Sequence, residues 1–291
     1  MINVEDIKKL LECAILTGYV KDDISVSIFM IAKPETGKSE LIKTMRDYPN
    51  TYYTNELSFK GCIDYILPEV ENNRVTHILI PDFINIISHR RASETLIPLL
   101  GSLMAEGVKD LKFFGSKKEY PKPIYAGLIT GITKEEFDKR IIYWRNIGFL
   151  TRTIVITFAY SESTRIKIHE FIRKGNGILR EMISKDFSEY RQKSLVVEIP
   201  EEIALNIEML AITLTNNNSF YVLNTRDDSG YMKNFQLNLK NYGFRLHNLL
   251  RSLIKGICLY NSNGKRRVVD KEDYDTLIQF VKFINFNFTE I

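Results

Sequence analysis

A chain of 291 residues is long enough to bury one large α/β domain and a small second one. Hydrophobic residues make up 44% and charged residues 26%, which excludes a disordered, collagen-like or disulfide-based chain. The net charge of +4 favours an anionic partner only weakly, and no apolar stretch approaches the roughly 18 residues that cross a bilayer. We therefore expect a cytoplasmic protein without a membrane partner, and the three separate cysteines predict neither a disulfide framework nor a zinc site.

Helices and apolar strands alternate over the first 160 residues. An amphipathic helix is predicted at 5–18, and five strands follow, at 26–31, 50–55, 77–82, 124–130 and 152–160. Further helical stretches lie between the strands, at 39–47, 59–73, 92–107 and 134–148. Apolar runs of this length suit strands that are covered on both faces. The pattern therefore predicts a three-layer α/β/α domain with a mostly parallel five-stranded sheet.

The pattern changes after about residue 160. Two charged helical stretches are predicted at 163–175 and 177–193, and the segments after Pro200 are also predicted to be helical, at 201–217, 235–260 and 270–284. We therefore divide the chain into an α/β domain at 1–199 and a small helical domain at 200–291. Residues 1–20 form the N-terminal helix and linker of the first domain.

The segment from Ala32 to Ser39 reads A-K-P-E-T-G-K-S and fits a P-loop, except that Ala32 replaces the usual first Gly. A buried strand leads into it and a helix leads out, so the backbone N–H groups of Glu35 to Ser39 would face a phosphate. Lys38 would bridge the β- and γ-phosphates of ATP, and the Ser39 hydroxyl would bind Mg²⁺. The residues predicted to contact the nucleotide are Lys33, Pro34, Glu35, Thr36, Gly37, Lys38, Ser39 and Glu40.

The second half of such a site is an apolar strand that ends in an acid. The strand at 78–81 precedes Asp82, which would hold the Mg²⁺ shell. A hydrolytic enzyme also needs a base that orients water, but the residue after Asp82 is Phe83 rather than Glu. Glu56, which we include among the catalytic candidates, and Glu94 are the nearest acids. Either could equally be an exposed capping or turn acid.

The motif A-K-P-E-T-G-K-S resembles the P-loop of AAA+ ATPases, in which Pro, Thr, Gly, Lys and Ser recur in this order. The strand at 124–130 ends in Thr130, at the place of the AAA+ sensor-1 residue, which touches the γ-phosphate or the attacking water. Asn55 is at the place of a polar switch residue. The resemblance implies a P-loop NTPase domain followed by a helical lid.

Two arginine-containing segments resemble those of minichromosome-maintenance (MCM) helicases. G-F-L-T-R at 148–152 is similar to the MCM segment L-S-R-F, which implies that Arg152 is an arginine finger on a neighbouring subunit's ATP, with Arg145 as the alternative. F-R-L-H-N-L-L-R at 244–251 resembles the lid helix, which implies that Arg245 is sensor 2. A finger that acts on a neighbour implies a ring or spiral homo-oligomer.

Basic residues that could contact DNA occur in two places. Arg90 and Arg91 follow Asp82 closely, and a tract at 109–120 mixes Lys112, Lys117 and Lys118 with Phe113, Phe114 and Tyr120. This mixture suits phosphate contact and base stacking, and it lies where MCM-like proteins carry a hairpin before sensor 1. A solvated hairpin whose aromatic side chains enter the core is the alternative.

Two functions therefore remain open. One is an ATP hydrolase that acts as a DNA-directed motor, helicase or loader. The other is a protein-remodelling enzyme or an ATP-dependent assembly switch, which acts on a protein partner and hydrolyses ATP slowly because Phe83 replaces the expected Glu.

Overall fold

The computed structural model describes residues 4–88, 90–113, 116–174, 187, 189–217, 220–226, 232–238, 243–284 and 289–290. The strands in this part of the chain are β1 (Ile28–Ala32), β2 (Thr51–Tyr53), β3 (His77–Ile80), β4 (Val108–Phe113), β5 (Ser116–Ile124), β6 (Gly127–Thr133), β7 (Ile154–Ala159), β8 (Phe220–Arg226), β9 (Met232–Asn238) and β10 (Thr289–Glu290).

The helices are α1 (Glu5–Leu16), α2 (Lys38–Lys43), α3 (Phe59–Gly61), α4 (Leu67–Glu71), α5 (Ile84–Ile87), α6 (Arg90–Met104), α7 (Lys134–Asp138), α8 (Ile141–Asn146), α9 (Glu162–Arg173), α10 (Glu201–Asn217), α11 (Phe244–Asn261) and α12 (Lys271–Ile284). A π-helical turn, Cys62–Ile66, joins α3 to α4, and 3-10 turns cover Thr17–Tyr19 and Leu150–Arg152.

The predicted five-stranded parallel sheet is confirmed. Its order is β7-β1-β6-β3-β2, and the two-residue β10 extends it beyond β7. Every strand pair in this sheet is parallel, so the carboxyl ends of all strands lie at one edge and the amino ends at the other. We call these the carboxyl edge and the amino edge.

Side chains of β1 alternate between two hydrophobic layers. Ile28, Met30 and Ala32 belong to the first layer, with α1, α2 and α10–α12, whereas Phe29 and Ile31 belong to the second layer, with α3–α8. Successive side chains of a strand point to opposite faces, so a sheet covered on both faces needs the continuous apolar strands that the sequence contains. The predicted α/β/α layering is therefore confirmed in its coarse form.

The C-terminal helices pack against the N-terminal helix within the first layer. Helix α11 lies so close to α1 that a Cβ atom at Gly256 would come within 2.1 Å of the Cys13 carbonyl oxygen. Only glycine permits this approach. Helices α10–α12 therefore share one core with α1 and with one face of the sheet.

Two features differ from the predicted elements. The helix predicted over 235–260 is wrong for its first residues, because Met232–Asn238 is a strand that pairs antiparallel with Phe220–Arg226. The sequence F-Q-L-N has the period of two that is typical of a strand, and α11 begins only after Gly243, whose φ is +74°. Strand β6 also extends three residues beyond the predicted end at Thr130, to Thr133. The helix predicted at 177–193 lies mostly outside the described residues.

Candidate nucleotide site and arginine cluster

The loop after β1 presents an arc of free backbone N–H groups. Glu35 and Gly37 have positive φ angles of +61° and +74°, which turn successive peptide groups towards the same side. None of the N–H groups from Glu35 to Ser39 donates a hydrogen bond to the described part of the chain. Such an arc fits the oxygen atoms of a phosphate group, which only accept hydrogen bonds.

Lys38 is buried under this loop. Its Nζ donates to the carbonyl oxygens of Lys33, at 2.7 Å, and Ala32, at 3.1 Å. Burial lowers the pKa of Lys38, and the negative charges of Asp82 and Glu135 act in the opposite direction. A Cβ atom at Gly131 would lie 3.4 Å from the Lys38 Cβ, so β6 passes close to the Lys38 side chain. The lysine is thus held at the loop that a phosphate would occupy.

Tyr160 fixes the loop by a hydrogen bond. Its hydroxyl donates to the Thr36 carbonyl oxygen at 2.6 Å, and the Thr36 hydroxyl donates to the Lys33 carbonyl at 2.9 Å. Burial raises the pKa of Tyr160 to about 12, so the hydroxyl stays protonated and remains a donor at neutral pH. Sequence reasoning missed this residue, because its only signal is its position just after β7.

The predicted metal ligands come together at the carboxyl edge. The Ser39 hydroxyl donates to the carbonyl oxygen of Pro81, the residue before Asp82, at 3.2 Å. The Asp82 carboxylate accepts a hydrogen bond from the Ile84 N–H at 3.1 Å, which fixes its orientation. No group of three or more His, Cys, Asp and Glu side chains in the described ranges could hold a metal ion. A hydroxyl beside a single carboxylate suits Mg²⁺ that is bound together with phosphates and water.

Phe83 is a core residue. Its ring lies 5.4 Å from that of Phe29 and 5.7 Å from that of Phe149, measured between centroids, and it is fully buried. Its N–H donates to the Gly131 carbonyl at 2.9 Å. The position after Asp82 therefore points into the second layer, where an unpaired carboxylate would be costly.

The acids near this site differ from those that the sequence suggested. Glu56 is exposed and follows β2, which β3 and β6 separate from β1, and Glu94 is exposed on α6. Glu135, which sequence reasoning missed, lies in the first turn of α7 directly after β6, and its charge acts on Lys38. Its position depends on the extension of β6 to Thr133, which brings the segment T-K-E-E to the carboxyl edge. A strand prediction that ended at Thr133 would have identified it.

Thr130 lies within β6, beside the end of β3. It pairs with Phe29, the second residue of β1, and with Ile80, the last residue of β3, shares the strand face of Leu128 and Ile132, and is fully buried. Its hydroxyl has no hydrogen-bond partner among the described residues. Thr133 instead pairs with Ala32, the residue from which the loop begins, and is the polar residue of β6 at the carboxyl edge.

The two predicted catalytic arginines lie at the opposite edge of the sheet. Arg152 precedes β7, whose Ile154 pairs with Ile28 at the start of β1, whereas the loop that contains Glu35 and Gly37 follows Ala32. Ile28 and Ala32 are four residues apart along β1, which corresponds to a distance of about 13 Å. The two arginines therefore lie far from the Lys38 of their own chain.

Glu106 joins the two arginines. Its carboxylate accepts from Arg152 Nε at 3.1 Å and Nη2 at 2.7 Å, and from Arg245 Nη2 at 2.9 Å. Burial alone would raise the pKa of Glu106, but the hydrogen bond and charge of Arg152 and the charge of Arg245 lower it. We call Glu106, Arg152 and Arg245 the arginine cluster. It lines an open cleft of about 1060 Å³, and Arg145 is exposed on α8.

The predicted DNA-contacting tract forms the β4–β5 hairpin. Lys112 and Lys117 lie directly opposite each other, and Lys117 also pairs with Glu119. Lys118 points inwards, because its Nζ donates to the Ile63 carbonyl at 3.2 Å. The side chains of Arg90, Arg91 and Phe113, and the whole of Phe114, lie outside the described residues.

The fold defines the class of the protein, an α/β protein with a parallel five-stranded sheet flanked by helices. No model of a known protein family matches the chain, and no curated protein matches it. None of the described helices is both long and apolar enough to cross a membrane.

Proposed function

We propose that the chain is an AAA+ P-loop ATPase, most similar to the ATPase core of MCM proteins, that binds ATP and Mg²⁺ and hydrolyses ATP between subunits of a homo-oligomer. The observation that carries the proposal is the arc of free N–H groups from Glu35 to Ser39 above the buried ammonium group of Lys38. Five donors and a cation that converge on one loop suit a triphosphate.

Different residues would bind different parts of Mg²⁺-ATP. The loop amides would hold the phosphate oxygens, and Lys38 would exchange the Ala32 and Lys33 carbonyls for the β- and γ-phosphates. Ser39 and Asp82 would hold Mg²⁺, which supplies charge neutralisation on the phosphates. Glu135, beside Lys38, would accept a proton from the attacking water, the role that Phe83 does not fill.

The position of the arginines supports an oligomer. Arg152 and Arg245 lie at the amino edge, about 13 Å or more from the phosphate loop of their own chain. An arginine that neutralises charge in the transition state must reach the γ-phosphate. A head-to-tail assembly, which joins the amino edge of one copy to the carboxyl edge of the next, would satisfy this requirement and closes into a ring or continues as a spiral.

The test is steady-state ATP turnover per chain, measured against protein concentration with wild type and Lys38→Ala. We expect turnover that rises with concentration in the wild type and is absent in the variant. Turnover that is independent of concentration would contradict the oligomeric site. Equal turnover in wild type and variant would contradict the assignment of the nucleotide site.

DNA is the first substrate that we propose, for a motor, helicase or loader. Lys112 and Lys117 support it, because they lie opposite each other on the hairpin and are both exposed, so that they could contact neighbouring phosphates once Lys117 exchanges Glu119 for nucleic acid. Replacement of both by Ala is expected to lower the salt dependence of DNA binding by about two units of slope, as for two lost phosphate contacts. An unchanged slope would contradict DNA binding by the hairpin.

A protein-remodelling or assembly switch is the second candidate, and the burial of Phe83 favours it. With no Glu after Asp82, hydrolysis could be slow enough that bound ATP itself signals assembly. ATP-dependent assembly without turnover, indifferent to DNA, would support this function and contradict the motor.

A further inference from the structure

We propose that helix α10 binds helix α9 of a second copy of the chain. The two helices expose faces that match each other in apolar side chains and in charge, and the described part of the chain covers neither face. The inference rests on the proposed function only for the head-to-tail order of the copies, and it requires neither ATP nor turnover.

Helix α10 has an apolar stripe on its outer side. Leu205, Met209 and Ile212 follow one another at the spacing i, i+4, i+7, which places them on one face of the helix. They are between 47% and 63% exposed, whereas Ile207 and Leu214 are buried in the first layer. Single apolar residues are common on protein surfaces, but a contiguous stripe of three large side chains marks an interaction surface.

Glutamates border the apolar stripe. Glu201 and Glu208 lie on the same face of α10, and Glu202 lies at its side. Helix α10 has no basic residue, and none of these three carboxylates forms an ion pair with a described residue. A partner that covers the stripe must supply positive charge together with apolar side chains. This requirement disfavours a nucleic-acid strand and favours a basic amphipathic helix.

Helix α9 has such a face. Arg165, His169 and Arg173 lie along it at the spacing i, i+4, i+8, and Ile166 and Ile172 lie between them. Both isoleucines are more than half exposed, and neither arginine forms an ion pair with a described residue. The α9 face therefore combines apolar side chains with positive charges that no described carboxylate neutralises.

The two faces lie towards opposite edges of the sheet. Helix α9 begins directly after β7, at the carboxyl edge, with Ser161 as its N-cap. The last turn of α10 packs on the start of α11, where a Cβ atom at Gly243 would lie 2.6 Å from the Thr215 hydroxyl oxygen. Helix α11 contacts the Leu150–Arg152 turn, which precedes β7 at the amino edge. A head-to-tail neighbour would therefore bring its α9 towards the α10 of the next copy.

Apolar and charged groups contribute differently to this contact. The apolar stripe of α10 would pack on the two isoleucines of α9, and this burial supplies affinity. Glu201 and Glu208 would pair with Arg165 and Arg173, which fixes the register and discriminates against a contact between two α10 helices.

The experiment reverses the charges of each face separately. One variant carries Glu201→Arg and Glu208→Arg, and the other carries Arg165→Glu and Arg173→Glu. Sedimentation velocity without nucleotide should show assembly of wild type that rises with concentration. Each variant alone should have a dissociation constant about 10²-fold higher, because like charges then face each other.

An equal mixture of the two variants should assemble as tightly as wild type. Every acidic face in the mixture can meet a basic one, so this restoration also shows that both variants are folded. The control carries Asp64→Arg and Asp110→Arg, which change the net charge by the same amount at exposed residues on the other face of the sheet. It should assemble like wild type.

Cysteine cross-linking tests which faces meet. Met209→Cys mixed with Ile166→Cys should form a covalent dimer under mild oxidation, since a disulfide requires Cα atoms within about 7 Å of each other. Each variant alone should form little dimer, because the three native cysteines are buried. Tyr143→Cys, which changes an exposed residue of α8, is the control and should form no covalent dimer with Met209→Cys.

The outcomes separate this inference from the proposed function, which calorimetry of ATP with wild type and Lys38→Ala tests independently. If ATP binding depends on Lys38 while the mixture of reversed variants stays monomeric, only this inference fails. If the copies assemble as expected but ATP does not bind, only the proposed function fails. A monomeric wild type would overturn the inference and leave the α10 face to a basic helix of another protein. Assembly of either reversed variant alone like wild type, or a covalent dimer of Met209→Cys alone, would also overturn it.

Discussion

The carboxyl edge and the amino edge of the sheet are organised in opposite ways. At the carboxyl edge the donors from Glu35 to Ser39 come from one short segment and remain free. At the amino edge Glu106, Arg152 and Arg245 come from distant parts of the chain, and hydrogen bonds occupy most of the Arg152 donors. The first edge is prepared to receive an anion, and the second already holds one in the form of a carboxylate.

Burial and neighbouring charges shift the pKa values at the two edges for different reasons. Lys38 is buried without a carboxylate in direct contact with its ammonium group in the described structure, so its pKa is lowered. In the arginine cluster the pKa of Glu106 is lowered because the guanidinium groups stabilise its charged form. A ligand phosphate would relieve the cost at the first edge, whereas at the second it would compete with Glu106.

The largest expected effect is that of replacing Lys38, which tests its contribution to ATP binding and the free-energy cost of burying its charge. Lys38→Met should weaken ATP binding by about 3–6 kcal/mol, or roughly 10²- to 10⁴-fold, through the loss of two charge-assisted phosphate contacts. The same variant should melt at a higher temperature than wild type without nucleotide, because at pH 7 the folded state must bury a charge that the unfolded state leaves in water. Calorimetry and thermal unfolding measure the two effects.

Lys43→Met is the control for this prediction. Lys43 is half exposed on the same helix, so neither ATP affinity nor melting temperature should change appreciably. A lower melting temperature for Lys38→Met would mean that the hydrogen bonds of Lys38 outweigh the cost of burying its charge.

Glu135→Gln tests whether the carboxyl edge supplies its own base. We expect turnover to fall by about 10²-fold or more, since a general base contributes roughly 10²–10⁴. ATP binding should persist or tighten, because a negative charge beside the phosphates is removed. Glu56→Gln, made in parallel, tests the acid that the sequence suggested; a large loss there and none in Glu135→Gln would reverse the assignment.

We expect acid to lower the stability of the fold through His77, the first residue of β3. His77 donates from Nε2 to the Val26 carbonyl, and its Nδ1 accepts from Thr76, as the neutral ring requires. Burial, helped by the charge of Lys193, lowers the pKa of His77 to about 3, although the Val26 hydrogen bond acts in the opposite direction. Because the unfolded side chain titrates near 6.5, the stability that the neutral ring contributes is present above pH 6.5 and is lost as the pH falls towards 3.

Urea unfolding between pH 7 and pH 4 measures this effect. Wild type should lose up to about 1.4 kcal/mol of unfolding free energy per pH unit through His77. His77→Gln keeps a hydrogen-bond donor and an acceptor but does not titrate. It should therefore lower the slope by up to about 1.4 kcal/mol per pH unit, which corresponds to one bound proton. Equal slopes in both proteins would place the acid sensitivity elsewhere.

The smallest expected effect concerns the support of the loop. Tyr160→Phe removes one hydrogen bond, to the Thr36 carbonyl, and should weaken ATP binding by about 1 kcal/mol, or roughly fivefold. Tyr143→Phe, an exposed tyrosine of α8, should leave the affinity unchanged. Identical affinities for Tyr160→Phe and wild type would show that the loop keeps its shape without this bond.

The parallel sheet, and the place of the loop between β1 and α2, could be predicted from the amino-acid sequence alone. Short, continuous apolar runs suit strands whose two faces are both covered, and a strand, a loop and a helix of contiguous residues depend mainly on local sequence. The prediction of a helix at the first residues of 235–260 was wrong, because pairing with Phe220–Arg226, which the local pattern does not reveal, decides the conformation there.

Contacts between residues that are far apart in the chain could not be predicted in this way, because they depend on how the layers pack. The burial of Phe83, the reach of Tyr160 to Thr36 and the approach of Glu135 to Lys38 depend on the order in which the strands lie in the sheet. The bridge from Glu106 to Arg152 and Arg245 joins residues up to 139 positions apart. The hydrophobic periodicity of the sequence does not predict such contacts. They arise from the packing of layers and from the pairing of buried charges, not from residues that are neighbours in the sequence.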